Sequence, residues 1–348
     1  MEANGRQYGI DIARLASMFM VVLLHNLLQG GVLDWTLDSM RDLLYMTLEN
    51  CSIIAVNIFA LISGYLGVGR KVHVRKLSGL WAAAFTWSAG MAIVGLIKGT
   101  QIGLWFYRSF FPVLANDYWY FNSFLALQLL VPLLNAGISA VGNAATLLLS
   151  LGLLCLSSLL GFPTGLGINN GYSAFWLVVL WLVGAAMRLN WDVVNRYLST
   201  KRLLLGLALI PLLSTYLEWS YVVGGLDPRQ WIEYVSPLVV IQSLCFFVLA
   251  ARTNITNNAV RRVLARASAS AFGVYLIDNS YWVYSFWLDA RFSWVLEIRP
   301  WTGLPMIIGI SLGMYFLFLG LETIRRALFK KALQLIGTMN GSTNAVQA

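Results

Sequence analysis

Asp11, Arg14 and His25 share one stretch, YGIDIARLASMFMVVLLHNLLQ (Tyr8 to Gln29), that is otherwise apolar enough to cross a membrane. Ionisable groups at such positions are costly, so by default they mark a functional site. Asp11 and Arg14 are three apart and share a helix face, which lets them pair. One reading is a guanidinium held by its acid and aimed at an anionic group such as a phosphate. The competing reading is an internal ion pair that fixes helix packing. His25 follows eleven residues after Arg14, about 16 Å along a helix. A lone membrane histidine either makes a helix–helix hydrogen bond or moves a proton near neutral pH. Acylation of a sugar hydroxyl needs such a base, because the hydroxyl is a poor nucleophile until its proton is taken.

The rest of the chain must position these groups. Of its 348 residues 59% are hydrophobic and 11% charged, with a mean hydropathy of +0.71. Soluble domains carry about 25% charged residues. Apolar runs of about 20 residues separated by short charged loops predict an all-α, polytopic transmembrane bundle. Ten spans are expected, near 8–29, 43–67, 77–97, 117–137, 142–161, 172–189, 203–223, 234–251, 268–288 and 302–322. They fill residues 1–348 as a single membrane domain with no appended soluble domain, and the first run reads as a retained helix.

Basic residues gather in alternate connections. They are Arg70, Lys71, Arg75 and Lys76; Arg188, Arg196, Lys201 and Arg202; Arg252, Arg261, Arg262 and Arg266; and the tail Arg325, Arg326, Lys330 and Lys331. The opposite loops hold most of the acids, among them Asp34, Asp38, Asp42, Asp117, Asp227, Glu233 and Asp289. The positive-inside rule then places both termini in the cytoplasm. The net charge of +9 follows the same pattern and is not a nucleic-acid footprint.

Other chemistries lack their signatures. The sequence contains no phosphate-binding Walker loop, and its GxSxG string, Gly309 to Gly313, lies inside the expected span 302–322 and so is not a strand-to-helix nucleophile elbow. His25 is followed by Asn26-Leu27-Leu28-Gln29-Gly30, so the His-x4-Asp arrangement is missing. Cys51, Cys155 and Cys245 lie in apolar runs and give neither a disulfide framework nor, with two histidines, a zinc spacing. No metal is expected.

Four stretches together resemble the acyltransferase type 3 family of integral-membrane acyltransferases. DIARLASMFMVVLLH (Asp11 to His25) resembles its first-helix motif, and AVNIFALISGY (Ala55 to Tyr65) its second helix. FPVLANDYWYFNSFLALQLLVPLLN (Phe111 to Asn135) resembles its Trp-Phe helix, and SASAFGVYLID (Ser268 to Asp278) its late helix. The resemblance implies transfer of an acyl group, usually acetyl from cytoplasmic acetyl-CoA, to an extracytoplasmic carbohydrate or lipid-linked acceptor. It also implies a catalytic His25, with Arg14 holding the CoA end. Many members carry a histidine where this chain has Asp278, which reads here either as a paired structural acid near mid-membrane or as part of a substrate tunnel.

Depth arithmetic adds Glu49, about 10 Å below the outer surface and within a helical turn of His25. Two readings stand: an acid that orients His25 and stabilises its imidazolium, and an outer carboxylate facing water. Arg70, Lys71, Arg75 and Lys76 would attract the CoA phosphates. Trp119 and Asn122 suit a sugar as well as they suit an interface.

The expected activity is an O-acyltransferase of the inner (plasma) membrane, with His25 as general base or acyl carrier and acetyl-CoA as donor. The alternative is a transporter or polysaccharide-export component without acyl-transfer chemistry, although no repeated halves are visible. Expected partners are acyl-CoA, a glycan or glycolipid and membrane lipid, with a homo-oligomer left open and nucleic acid excluded.

Overall fold

The computed structural model describes residues 6–100, 103–164 and 168–346; for Arg75 and residues 163–164, 333 and 335–346 it describes the backbone alone. Every regular element among the described residues is helical. In chain order these are α1 (Tyr8–Leu28), α2 (Met40–Ser52), α3 (Ala55–Gly67), α4 (Val74–Ile97), α5 (Leu104–Arg108), α6 (Trp119–Val141) and α7 (Asn143–Thr164). Then follow α8 (Ala174–Leu189), α9 (Trp191–Tyr197), α10 (Thr200–Val223), α11 (Pro237–Arg252), α12 (Asn258–Asp278) and α13 (Pro300–Val346).

The helix boundaries follow local chemistry. Ser39 and Asp42 form a capping box that starts α2, satisfying free N–H groups of its first turn. A turn at Ile53 and Ile54 breaks α2 from α3, yet Met40–Gly67 still passes as one span. Asn257 caps α12 through the N–H groups of Ala259 and Val260. The helix therefore begins within the basic stretch, ten residues before the expected span at 268, and ends at Asp278. Asp278 thus closes a helix rather than sitting midway along one. A short π-helical turn, Val283–Trp287, follows it.

Among the described residues, eight helices are long and apolar enough to cross a membrane, or nine if the pair α8 and α9, bent by 87°, counts as one span. Ten were expected. The difference arises at α8, which has 16 residues, and at α12, whose first half carries Arg261, Arg262 and Arg266.

The first helix occupies the centre, packed against α2, α3, α11, α12 and α13. Close approach depends on glycine. A Cβ on Gly9 would strike the carbonyl of Ala250 in α11, and one on Gly64 of α3 the carbonyl of Trp181 in α8. Gly184 of α8 returns the same fit against Leu61 of α3. Leucines such as Leu133, Leu148, Leu159, Leu205 and Leu212 are left exposed on α6, α7 and α10, as a lipid-facing perimeter requires.

Candidate active site

At its Arg14 end, α1 meets the start of the apolar half of α12. Asp11 is buried and saturated: Arg6 Nε donates to its Oδ2 at 2.6 Å, and Ser268 Oγ donates to its Oδ1 at 2.6 Å. Arg14 Nη1 reaches Ser268 Oγ at 2.8 Å and Asp11 Oδ1 at 3.3 Å. Asp11 lies behind the adjoining cavity and does not line it; it fixes Arg14, which does. That cavity measures about 380 Å³ and is also lined by Arg70, Lys71, His73 and Lys76, with Ser268 and Gln128. It holds several cationic side chains and, among the described residues, no carboxylate. The side chain of Arg75, expected to join this group, lies outside the described residues. Asn135 of α6 shapes the basic loop, accepting from the Gly69 N–H at 2.9 Å and donating to the Arg70 carbonyl at 3.2 Å.

At the far end of α1, His25 Nδ1 and Asp278 Oδ2 are 2.6 Å apart. A carboxylate only accepts, so Nδ1 carries the donated proton and Nε2 keeps the lone pair. Asp278 is fully buried behind the ring, and Tyr284 meets the imidazole edge-on with centroids 5.0 Å apart. The hydrogen-bonding acid that the sequence assigned to Glu49 is therefore Asp278. Glu49 lies elsewhere in the same chamber wall, buried, with Oε2 lacking a partner among the described residues.

The outer chamber, about 350 Å³, is lined by His25, Glu49, Asn116, Asp117 and a set of aromatic rings. Trp105 stacks on Tyr281 with centroids 4.0 Å apart, while the Arg108 guanidinium covers Trp105 at 3.9 Å. Trp119, Tyr172 and Tyr234 form a second group, with centroids 4.6 to 5.9 Å apart. Trp119 lines the chamber as expected of a substrate contact, but Asn122 does not. Its amide nitrogen donates to the Val113 carbonyl at 2.9 Å and to Asn116 Oδ1 at 2.8 Å, so it clasps the loop that presents Asn116 and Asp117. Burial raises the Asp117 carboxyl above the ordinary aspartate range, and Arg108 offsets part of this.

A middle cavity of about 50 Å³ shares lining residues with both chambers. It shares Phe59, Tyr120 and Phe272 with the Arg14 chamber, and His25, Leu24, Trp119, Tyr234 and Asn279 with the outer one. Met18, Val21 and Val56 complete its apolar wall. A lined path thus runs along α1 from Arg14 to His25.

A family model described as an acyltransferase domain matches residues 7–322. The chain belongs to the acyltransferase type 3 family. Comparison with curated proteins and with solved structures gives no match. With its apolar helices, the acyltransferase is a multi-pass membrane protein. The matched region contains Arg14, His25, both chambers and the His25–Asp278 pair.

Several residues of the acyltransferase's outer chamber escaped the sequence reading: Trp105, Asn116, Asp117, Tyr234, Tyr281 and Tyr284. They come from the short helical turns and connections between the long helices, where no periodicity identifies them. The available signal was composition. NDYWY (Asn116 to Tyr120) and DNSYWVYSFW (Asp278 to Trp287) combine acids, amides and aromatics in loops facing one end of the bundle.

Proposed function

We propose that the chain transfers an acetyl group from cytoplasmic acetyl-CoA to a hydroxyl of a glycan or glycolipid on the outer side of the inner membrane. The alternation of basic loops supports this orientation, with both termini and the Arg14 chamber on the cytoplasmic side. The carrying observation is the lined path that joins a basic mouth at Arg14 to a carboxylate-lined, aromatic chamber at His25.

Anionic CoA phosphates suit Arg14, Arg70, Lys71 and Lys76, since guanidinium and ammonium groups are the usual phosphate partners. The thioester end then extends through the apolar middle cavity. At His25 the two substrates meet. Nε2 takes the acceptor hydroxyl proton as that oxygen adds to the thioester carbonyl. The carbon–sulfur bond then breaks, and the CoA thiolate receives the proton from the imidazolium. Asp278 holds the ring in the required tautomer and offsets its transient charge. His25 borders both the middle cavity and the outer chamber, which favours direct transfer over an acyl-histidine. The family assignment leaves export without chemistry with no observation of its own.

Purified protein in liposomes, given labelled acetyl-CoA from the Arg14 side and a glycan extract from the other, tests the reading. Label in the glycan, dependent on His25, is the expected result. Label transfer that is indifferent to His25 removes the mechanism.

A further inference from the structure

The two chambers are lined by opposite kinds of ionisable side chain. The Arg14 chamber is lined by cationic side chains, whereas the outer chamber is lined by Glu49 and Asp117 and, among the described residues, by no lysine or arginine. Arg108, which partly offsets the burial of Asp117, has its guanidinium over Trp105, and its Nη2 donates to the Ala115 carbonyl at 2.7 Å. His25 is held against Asp278.

Both oxygens of Asp117 and Oε2 of Glu49 are buried without a hydrogen-bond partner among the described residues. A buried carboxylate oxygen left in this state is costly until a donor arrives. Sugar hydroxyls are donors, whereas carboxylate, sulfate and phosphate oxygens are acceptors. The rings of Trp119, Tyr172 and Tyr234 line the same chamber and offer apolar surface for the C–H side of a sugar ring.

Resting on the acyl-transfer reading for what the chamber holds, we propose that Glu49 and Asp117 select a polyhydroxylated ring free of anionic substituents and reject uronate, sulfated or phosphorylated rings at that position. The two acids act as acceptor-specificity residues. Attraction comes from hydroxyl donation to the unpaired oxygens; rejection comes from the lack of any lysine or arginine lining the chamber, among the described residues, to pair an anionic substituent, which would be buried uncompensated.

The experiment compares matched pairs on the full-length protein in nanodiscs: the methyl glycosides of glucose, galactose and mannose, each beside its own uronide. Binding is read by saturation-transfer NMR, and acetyl transfer is read separately with labelled acetyl-CoA. At least one neutral glycoside binds, and its uronide binds at least about tenfold more weakly. Glu49→Gln and Asp117→Asn, near-isosteric changes, narrow that ratio while acyl-CoA binding at the Arg14 chamber persists. Equal affinity within every pair overturns the proposal, as does binding of none of the neutral glycosides or a ratio unmoved by both variants. The wild-type comparison stands even if a variant fails to fold. Discrimination without acetyl transfer supports the chamber's selectivity and counts against the acyl-transfer reading; transfer without discrimination does the reverse.

Discussion

Asp278 Oδ2 lies 2.6 Å from Nδ1 of His25, joining the last residue of α12 to the far end of α1 across 253 positions of sequence. The acid is fully buried while the ring borders both the middle and outer cavities. A carboxylate in that position fixes the tautomer and orientation of the base. Asp278→Asn keeps the size but cannot stabilise the imidazolium, so turnover should fall by about a hundredfold or more. The KM for acyl-CoA should stay near its original value, because the donor's phosphates contact the opposite end of α1. Full turnover in Asp278→Asn would make the pair a packing contact.

Arg14→Ala should act on the donor. Loss of a charged hydrogen bond to phosphate is worth about 1.5–3 kcal/mol, so the KM for acyl-CoA should rise by at least about tenfold. Asp11 keeps Arg6 and Ser268 as partners, so the protein should still fold. Steady-state kinetics at varied acyl-CoA checks this: a fall in kcat with an unchanged KM would move Arg14 away from the phosphates.

The path itself can be blocked. Val56 lines the middle cavity of about 50 Å³, which Val56→Trp should fill. Acyl-CoA binding, measured by titration calorimetry, should survive while transfer is lost. Retained transfer would mean that the thioester reaches His25 by another route.

Close helix packing gives a stability prediction. A side chain at Gly64 collides with the backbone of Trp181. Gly64→Val should therefore destabilise by about 1–3 kcal/mol or more, seen as a lower Tm in detergent. Gly90→Val, at a position with open space around it, should shift Tm far less.

How far the sequence revealed this site depends on how local each feature is. Arg14, His25 and the basic loop were legible because each is an ionisable group inside or beside an apolar run, where its cost is conspicuous. The charge alternation was legible for the same reason. Asp278 was noticed but not paired, since a contact spanning 253 residues leaves no trace in spacing. Glu49 was a candidate orienting acid, beside its reading as an outer carboxylate, because depth arithmetic fixes height along the membrane and says nothing about direction around a helix. Asn122 looked like a sugar contact by type, but its amide is used up in holding a loop. The span count differs at α12, where Arg261, Arg262 and Arg266 lower the hydropathy of a helix that the Asn257 cap starts early. Asp117 lies in the connection before α6 and Trp105 in the five-residue α5, and only folding brings them to the chamber of His25.

Acetyl transfer by the His25→Ala variant, beside the wild type in the same liposomes with labelled acetyl-CoA and glycan acceptor, tests the central claim most directly. Removal of a general base costs about 10²–10⁴ in rate. The account predicts a loss of that size with acyl-CoA binding intact. Transfer at the wild-type rate in His25→Ala would contradict it.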